Sequence, residues 1–214
     1  MKNCFFDLDG TLTDSAEGII NSVLYALSTY GIEEKDRAAL TSFVGPPLGD
    51  SFMKRYGFSE EQAEEAIRRF RVRFTSIGIF ENALYEGVDG MLASLKEKGV
   101  RVILATSKPE TFARRILEHF GIARYFDFIC GANLEEKSRV EKEDVLLYAL
   151  ETSGADPKES CMIGDRRYDV TAGKKLGLST VGVLYGYGTR EELEESGADL
   201  ICETVEELKG VLNG

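Results

Sequence analysis

The stretch Asn3-Cys4-Phe5-Phe6-Asp7-Leu8-Asp9-Gly10-Thr11-Leu12-Thr13-Asp14 is an apolar run that ends on two carboxylates, one residue apart, followed at once by a glycine. Cys4, Phe5 and Phe6 read as a short buried strand of the kind found in parallel α/β sheets. Such sheets place their chemistry at the carboxyl ends of the strands, where Asp7 falls. Spaced i and i+2 into a turn, Asp7 and Asp9 can point into one crevice while Leu8 packs away from it. One carboxylate can then serve as nucleophile or metal ligand and the other as general acid. The same residues also fit a solvated Asp-Gly turn after a strand, so the rest of the chain must decide.

Composition narrows the choice. A chain of 214 residues with 43% apolar content holds one large domain, or a domain with a modest insertion. The formal charge of -11 argues against a nucleic-acid surface, which needs a basic patch. An anionic substrate would need local help, most simply from a metal ion. Cys4, Cys130, Cys161 and Cys202 form no Cys-x-x-Cys pair and read as buried thiols. No apolar run approaches the roughly 20 residues of a membrane span, and the start lacks the basic residues and long apolar stretch of a signal peptide. A reduced, cytoplasmic setting is expected. His119 is the one histidine and falls in a helical run, so it reads as structural. Catalysis that hinges on histidine then loses its central residue.

After the opening strand the pattern turns helical until about residue 86. Asp14 with Glu17 reads as a capping box, and Ile20, Val23, Leu24 and Leu27 follow at helical spacing to Gly31. Pro46 and Pro47 break the chain. A short helix is expected over 48–56, and a longer one, capped by Ser59 with Gln62, carries Ala63, Ala66, Ile67, Phe70, Phe74 and Ile77. From Gly87 the pattern alternates between helix and strand, the signature of a parallel sheet with right-handed crossovers. Strands are expected at 101–105, 126–130, 160–163, 179–183 and 199–202. Helices are expected at 88–98, 109–120, 142–153, 169–176, 189–196 and 204–212. The fold expected is therefore an α/β, Rossmann-like parallel sheet core made of 1–14 and 87–214, with an all-helical cap, 15–86, inserted after the first strand. Such a cap on two linkers could open and close over the strand ends.

Two further strand ends carry polar residues. Val102-Ile103-Leu104-Ala105 runs into Thr106-Ser107-Lys108-Pro109, where a hydroxyl and helix-start amides could hold a phosphoryl oxygen, with Pro109 at the first helical position. Ordinary capping by Ser107 is the plainer account. Cys161-Met162-Ile163-Gly164 runs into Asp165, with Asp169 four residues on, a hard-oxygen set that suits Mg²⁺. Asp169 also fits a plain acidic residue at a helix start.

Taken together these stretches resemble the haloacid dehalogenase-like hydrolase superfamily, and within it the phosphoglycolate phosphatase-like branch with a helical cap. Asp7-Leu8-Asp9-Gly10-Thr11-Leu12 matches its first motif, Thr106 the second, and Gly164-Asp165 with Asp169 the fourth. The third motif is a lysine near the start of the preceding helix, often followed by proline. This chain lacks that Lys-Pro; of Lys137, Arg139 and Lys142, Lys142 is chosen because it opens the helix, with Lys137 as the alternative. The resemblance implies a Mg²⁺-dependent phosphatase acting on a small phosphorylated metabolite. Asp7 would be the nucleophile that forms an aspartyl phosphate, Asp9 the acid/base, and Thr106 and Lys142 the holders of the phosphoryl oxygens. Gly10, Ser107 and Lys108 would help bind the phosphate, and Mg²⁺ would sit on Asp7, the Asp9 carbonyl, Asp165 and Asp169. The loop Phe43-Val44-Gly45-Pro46-Pro47-Leu48-Gly49 falls where related caps carry specificity, so Gly45 is a candidate. Arg71 and Lys54 are possible anion contacts, although solvated helix faces account for them as well.

A sugar phosphomutase would share every motif. A receiver-like phospho-acceptor module also places acids, a hydroxyl and a lysine at strand ends, but the long helical insertion fits it poorly. The substrate, whether 2-phosphoglycolate, a nucleotide, a sugar phosphate or pyrophosphate, is open, as is the choice between monomer and dimer.

Overall fold

Strand β1 (Asn3–Phe6) is wholly buried, and its side chains alternate between the two faces of a sheet. The computed structural model describes residues 1–134, 139 and 141–214. They fall into two compact units, Met1–Thr13 with Leu84–Gly214, and Asp14–Ala83. Where the chain passes between the units, β2 (Thr13–Asp14) and β3 (Ala83–Leu84) pair as a two-stranded ribbon.

The smaller unit is built on α1 (Ala16–Ser28), α2 (Leu48–Tyr56) and α3 (Glu60–Phe74). Phe43, Phe52, Tyr56, Phe58 and Tyr30 pack ring against ring, which gives this unit an aromatic core of its own. Ser59 and Gln62 form the reciprocal capping box expected for α3, but the helix ends at Phe74 with Thr75 as its C-cap, so Ile77 falls beyond its apolar face and is exposed. At α1 the cap residue is Ser15 rather than the expected Asp14, and Ser15 makes no side-chain cap hydrogen bond. The amide of Ala16 instead donates to Asp14 Oδ1 at 3.2 Å, a local turn closed from two residues upstream. Gly18 is required by packing, because a Cβ there would lie 1.9 Å from the Gly78 carbonyl oxygen.

In the larger unit the chain continues through α4 (Val88–Glu97), β4 (Arg101–Pro109), α5 (Glu110–His119), β5 (Phe128–Ala132), α6 (Lys142–Ser153), β6 (Ser160–Gly164), α7 (Arg167–Lys175), β7 (Ser179–Val183), α8 (Arg190–Glu195), β8 (Leu200–Cys202) and α9 (Val205–Asn213). The six long strands form one parallel sheet in the order β5-β4-β1-β6-β7-β8. The order reverses around β1, so the carboxyl ends of β4, β1 and β6 surround the switch-point crevice typical of open α/β sheets. Phe5, Ile103, Ala105, Cys130, Val145, Leu146 and Met162 share one buried cluster on one sheet face.

In the larger unit three elements, β4, β5 and α7, differ from the expected bounds by two residues or more. The β4 strand extends past residue 105 to Pro109, with a register shift between Thr106 and Pro109. Pro109 consequently caps α5 from outside rather than occupying its first turn, and Ser107 is not the cap. The β5 strand starts at Phe128 rather than 126, because Ala123–Tyr125 form a 3-10 turn and the Asp127 carboxylate accepts from the Val102 amide and pairs with Lys96. The α7 helix begins at Arg167, two residues before Asp169. Thr189 and Thr204 each cap their helix by accepting from the amide three residues on. The four cysteines are free and buried, and burial pushes the Cys130 thiol up to about 11 and that of Cys4 to about 12. His119 is exposed in the last turn of α5. No helix among the described residues is long and apolar enough to cross a membrane.

Candidate active site

Asp7 directly follows β1, and its amide continues the ladder by donating to the Ile163 carbonyl at 2.9 Å. The chain then turns sharply. The amides of Thr11, Leu12 and Thr13 all converge on the Leu8 carbonyl, and Gly10 takes φ of 81°. Gly10 is also the only residue type that fits, since a Cβ would lie 2.1 Å from Asp165 Oδ2. Leu8 is fully buried, as its packing away from the crevice requires.

Lys142, in the first turn of α6, is buried beneath this turn with three oxygens around its ammonium. Asp169 Oδ1 lies at 2.7 Å, Asp7 Oδ1 at 2.8 Å and the Ala105 carbonyl at 2.9 Å. The ammonium thus donates to the Ala105 carbonyl and lies at ion-pair distance from both carboxylates. Burial by itself lowers the Lys142 pKa, but the Asp169 and Asp7 carboxylates beside it raise it above the ordinary lysine value. Lys142 thus lies between two carboxylates, those of Asp7 and Asp169. Lys137 lies outside the described residues, and Arg139 stacks its guanidinium over the Tyr148 ring at 4.0 Å.

Asp165 follows β6 and is fully buried. Its Oδ2 accepts from the Tyr187 amide at 2.8 Å, while the buried Oδ1 has no hydrogen-bond donor among the described residues. Asp169, at the third position of α7, accepts from the Arg166 amide at 3.1 Å through Oδ2. Gly164 allows this approach, because a Cβ there would sit 2.1 Å from Asp169 Cγ. Ligand oxygens of Asp7, Asp165 and Asp169 all lie within 4.8 Å of one another. With all three carboxylates ionised, one ammonium leaves an excess of two negative charges, which a divalent cation would balance. The orphaned Asp165 oxygen and the all-oxygen donor set fit Mg²⁺.

The cluster's electrostatics follow from crowding. Burial, then the Asp169 and Asp7 charges, push the Asp165 carboxyl well above the ordinary range against the Tyr187 amide. Burial pushes Asp169 up to about 6, with Lys142 opposing and Asp7 adding. Groups raised in the folded state hold extra protons there, so their contribution to stability is lost as pH rises from the unfolded value toward and past the folded one. In the presence of a chelator the unfolding midpoint of the wild type should fall from about pH 4 to about pH 7 more steeply than that of Asp165→Asn. Parallel profiles in circular-dichroism melts would remove this account.

Thr106 is buried on β4, and its Oγ1 accepts from the Lys108 amide at 3.3 Å. Ser107 is half-buried beside it. Lys108 comes to Asp9, its Nζ 3.0 Å from Oδ2. Gly45, Arg71 and Lys54 belong to the smaller unit: Gly45 is exposed at φ of 101°, Arg71 is half-buried on α3 and Lys54 is exposed on α2. Sequence reasoning missed the segment Gly186-Tyr187-Gly188, which clasps Asp165. A Cβ on Gly188 would meet the Asp165 carbonyl oxygen at 1.9 Å, and one on Gly186 the Gly10 carbonyl oxygen at 2.2 Å. Two glycines flanking an aromatic residue soon after a strand were the available signal.

The carboxylate–lysine centre thus lies at the switch point of a parallel α/β sheet, and comparison with known proteins supplies its class. The family model described as haloacid dehalogenase-like hydrolase matches residues 4–183. A 5'-nucleotidase of Pseudomonas aeruginosa is 41% identical over 98% of this chain and 95% of its own length. A tyrosine-protein kinase, PtkA, of Mycobacterium tuberculosis is 40% identical over 97% of this chain and 71% of its own length. The crystal structure of a predicted phosphatase from Clostridium acetobutylicum superposes with a TM-score of 0.95 at 47% identity, covering 99% of this chain and 97% of that one. The chain belongs to the haloacid dehalogenase-like hydrolase family. Within that superfamily it is a phosphatase, a phosphoric monoester hydrolase.

Proposed function

We propose that this phosphatase hydrolyses small phosphate monoesters in the cytoplasm with Mg²⁺, through an aspartyl phosphate on Asp7. The observation that supports it most is the buried set of Asp7, Asp165 and Asp169 around Lys142, short of positive charge by two. Asp7 attacks phosphorus, the bond to the leaving oxygen breaks, and Asp9 gives that oxygen its proton. Asp9 then takes a proton from water as the water attacks the aspartyl phosphate, which releases inorganic phosphate and restores Asp7. Lys142 keeps Asp7 oriented throughout, at 2.8 Å. Thr106 and Ser107 receive the phosphoryl oxygens. Asp7, the Asp9 carbonyl and Asp165, with Asp169 directly or through water, would hold Mg²⁺, which when bound would supply electrostatic stabilisation of the transferred group's charge.

In this reading the helical unit, with the Gly45 loop and Arg71, sorts substrates. The name of the P. aeruginosa relative favours a nucleoside monophosphate, and 2-phosphoglycolate and sugar phosphates remain in the same chemical class. Transfer to a second hydroxyl, as in a mutase, needs the same aspartyl phosphate and differs only in the acceptor. A panel of nucleotides, phosphoglycolate, sugar phosphates and pyrophosphate, assayed with Mg²⁺ and with chelator, tests the reading. Mg²⁺-dependent release of inorganic phosphate from at least one monoester is expected. Isomerised sugar phosphate without phosphate release overturns hydrolysis, and equal rates in chelator overturn the metal.

A further inference from the structure

The β4 and β5 strands run in parallel register up to Thr106 opposite Gly131, and the next pair is Pro109 opposite Ala132. Three steps along β4 are thus matched by one along β5, and Ser107 and Lys108 are the surplus. Irregularities of this kind re-aim side chains beside functional sites. The bulge is held closed by the Lys108 amide on Thr106 Oγ1. It also presses on β5: a Cβ on Gly131 would lie 2.6 Å from the Lys108 carbonyl oxygen and 2.7 Å from the Glu110 amide nitrogen. The result is a buried ammonium next to a largely covered carboxylate, with the Lys108 side chain 6% and the Asp9 side chain 12% exposed.

Asp9 is held unevenly. Its backbone lies in the turn closed on Leu8, with Gly10 donating to the Thr13 carbonyl, so the backbone is fixed while the side chain is left to find its own partner. Lys108 takes Oδ2, and the buried Oδ1 has no hydrogen-bond donor among the described residues. A buried ion pair often stabilises no more than an apolar pair of the same shape, so stability alone is a weak reason for this one. Lys142, the other buried lysine of the site, already faces Asp7, Asp169 and Ala105. The two lysines therefore serve different carboxylates.

We propose that Lys108 is a positioning residue for Asp9: it tethers Oδ2 so that Oδ1 faces the leaving oxygen and, later, the attacking water. This rests on the reading of Asp9 as acid/base given above. It assigns Lys108 to the acid/base carboxylate, where a phosphate-gripping lysine would act on the transferred group itself.

The experiment compares wild type, Lys108→Met, Lys108→Arg, Asp9→Asn and the Asp9→Asn/Lys108→Met double variant, all with Mg²⁺ and an aryl phosphate. Steady-state rates and acid-quenched phosphoenzyme are both measured. Lys108→Met should lose about 10- to 100-fold in kcat, with KM unchanged or lower, and should accumulate phosphoenzyme, because its hydrolysis needs an oriented base. Lys108→Arg should recover part of the loss, and the double variant should be no slower than Asp9→Asn alone. A raised KM without phosphoenzyme, and losses that multiply in the double variant, assign Lys108 to the phosphoryl group and overturn the proposal. An unchanged kcat per folded molecule overturns it too. If Lys108→Met does not fold, Lys108→Gln is held to the same outcomes. Absence of any phosphoenzyme and turnover in the wild type overturns the phosphatase reading together with this one, whereas a normal wild type with an indifferent Lys108→Met overturns this one alone.

Discussion

Asp7→Asn is expected to lower turnover of an aryl phosphate by on the order of a thousandfold or more, about 4 kcal/mol of barrier, while the protein stays folded. An amide oxygen is a poor nucleophile toward phosphorus, so the aspartyl phosphate cannot form at this position. Folding should survive because the substitution removes one charge from a cluster that holds too many of the same sign. Lys142 keeps Asp169 at 2.7 Å and the Ala105 carbonyl at 2.9 Å. The melting temperature in chelator should be equal to or above that of the wild type, and no acid-stable label should be incorporated from radiolabelled substrate. Activity within tenfold of wild type, in protein checked by mass for deamidation, would show that Asp7 is not the nucleophile.

Lys142→Met is expected to damage both stability and rate. It leaves Asp7, Asp165 and Asp169 buried together without a cation, and removing one partner from a buried charge cluster costs about 3–5 kcal/mol. For a chain of this length that corresponds to a fall of roughly 6–20 °C in melting temperature in chelator. Saturating Mg²⁺ should recover part of the loss, since it offsets the same charge. The outcome separates two roles for this lysine. A variant inactive but as stable as wild type in chelator would mean that Lys142 acts on the phosphoryl group and does not hold the carboxylates.

Most of the fold could be read from local pattern. The apolar run before Asp7 and the alternation of helix and strand after Gly87 suffice for a parallel sheet, because periodicity and β-rich runs are properties of consecutive residues. The same holds for the Ser59–Gln62 capping box, which spans four residues. Errors gather where a distant group decides. Asp127 leaves the strand pattern because it meets Lys96 and the Val102 amide, and Ser107 does not cap α5 because β4 runs on past it.

The candidate site divides in the same way. Asp7, Asp165 and Asp169 are marked in the sequence by glycines and strand ends, and the order β5-β4-β1-β6-β7-β8 carries two of the three strand ends that matter to either side of β1. By itself the sequence determined which residue types stand at the strand ends, since strand, turn and helix start are local. Only the tertiary structure decided their partners. It set Lys142 between Asp7 and Asp169, turned Lys108 toward Asp9 through a bulge braced on Gly131, and brought the Tyr187 amide to Asp165 across 22 residues. The reason is that a buried charge is settled by whichever opposite charge or donor packing brings within about 3 Å, and that distance is not a property of spacing along the chain.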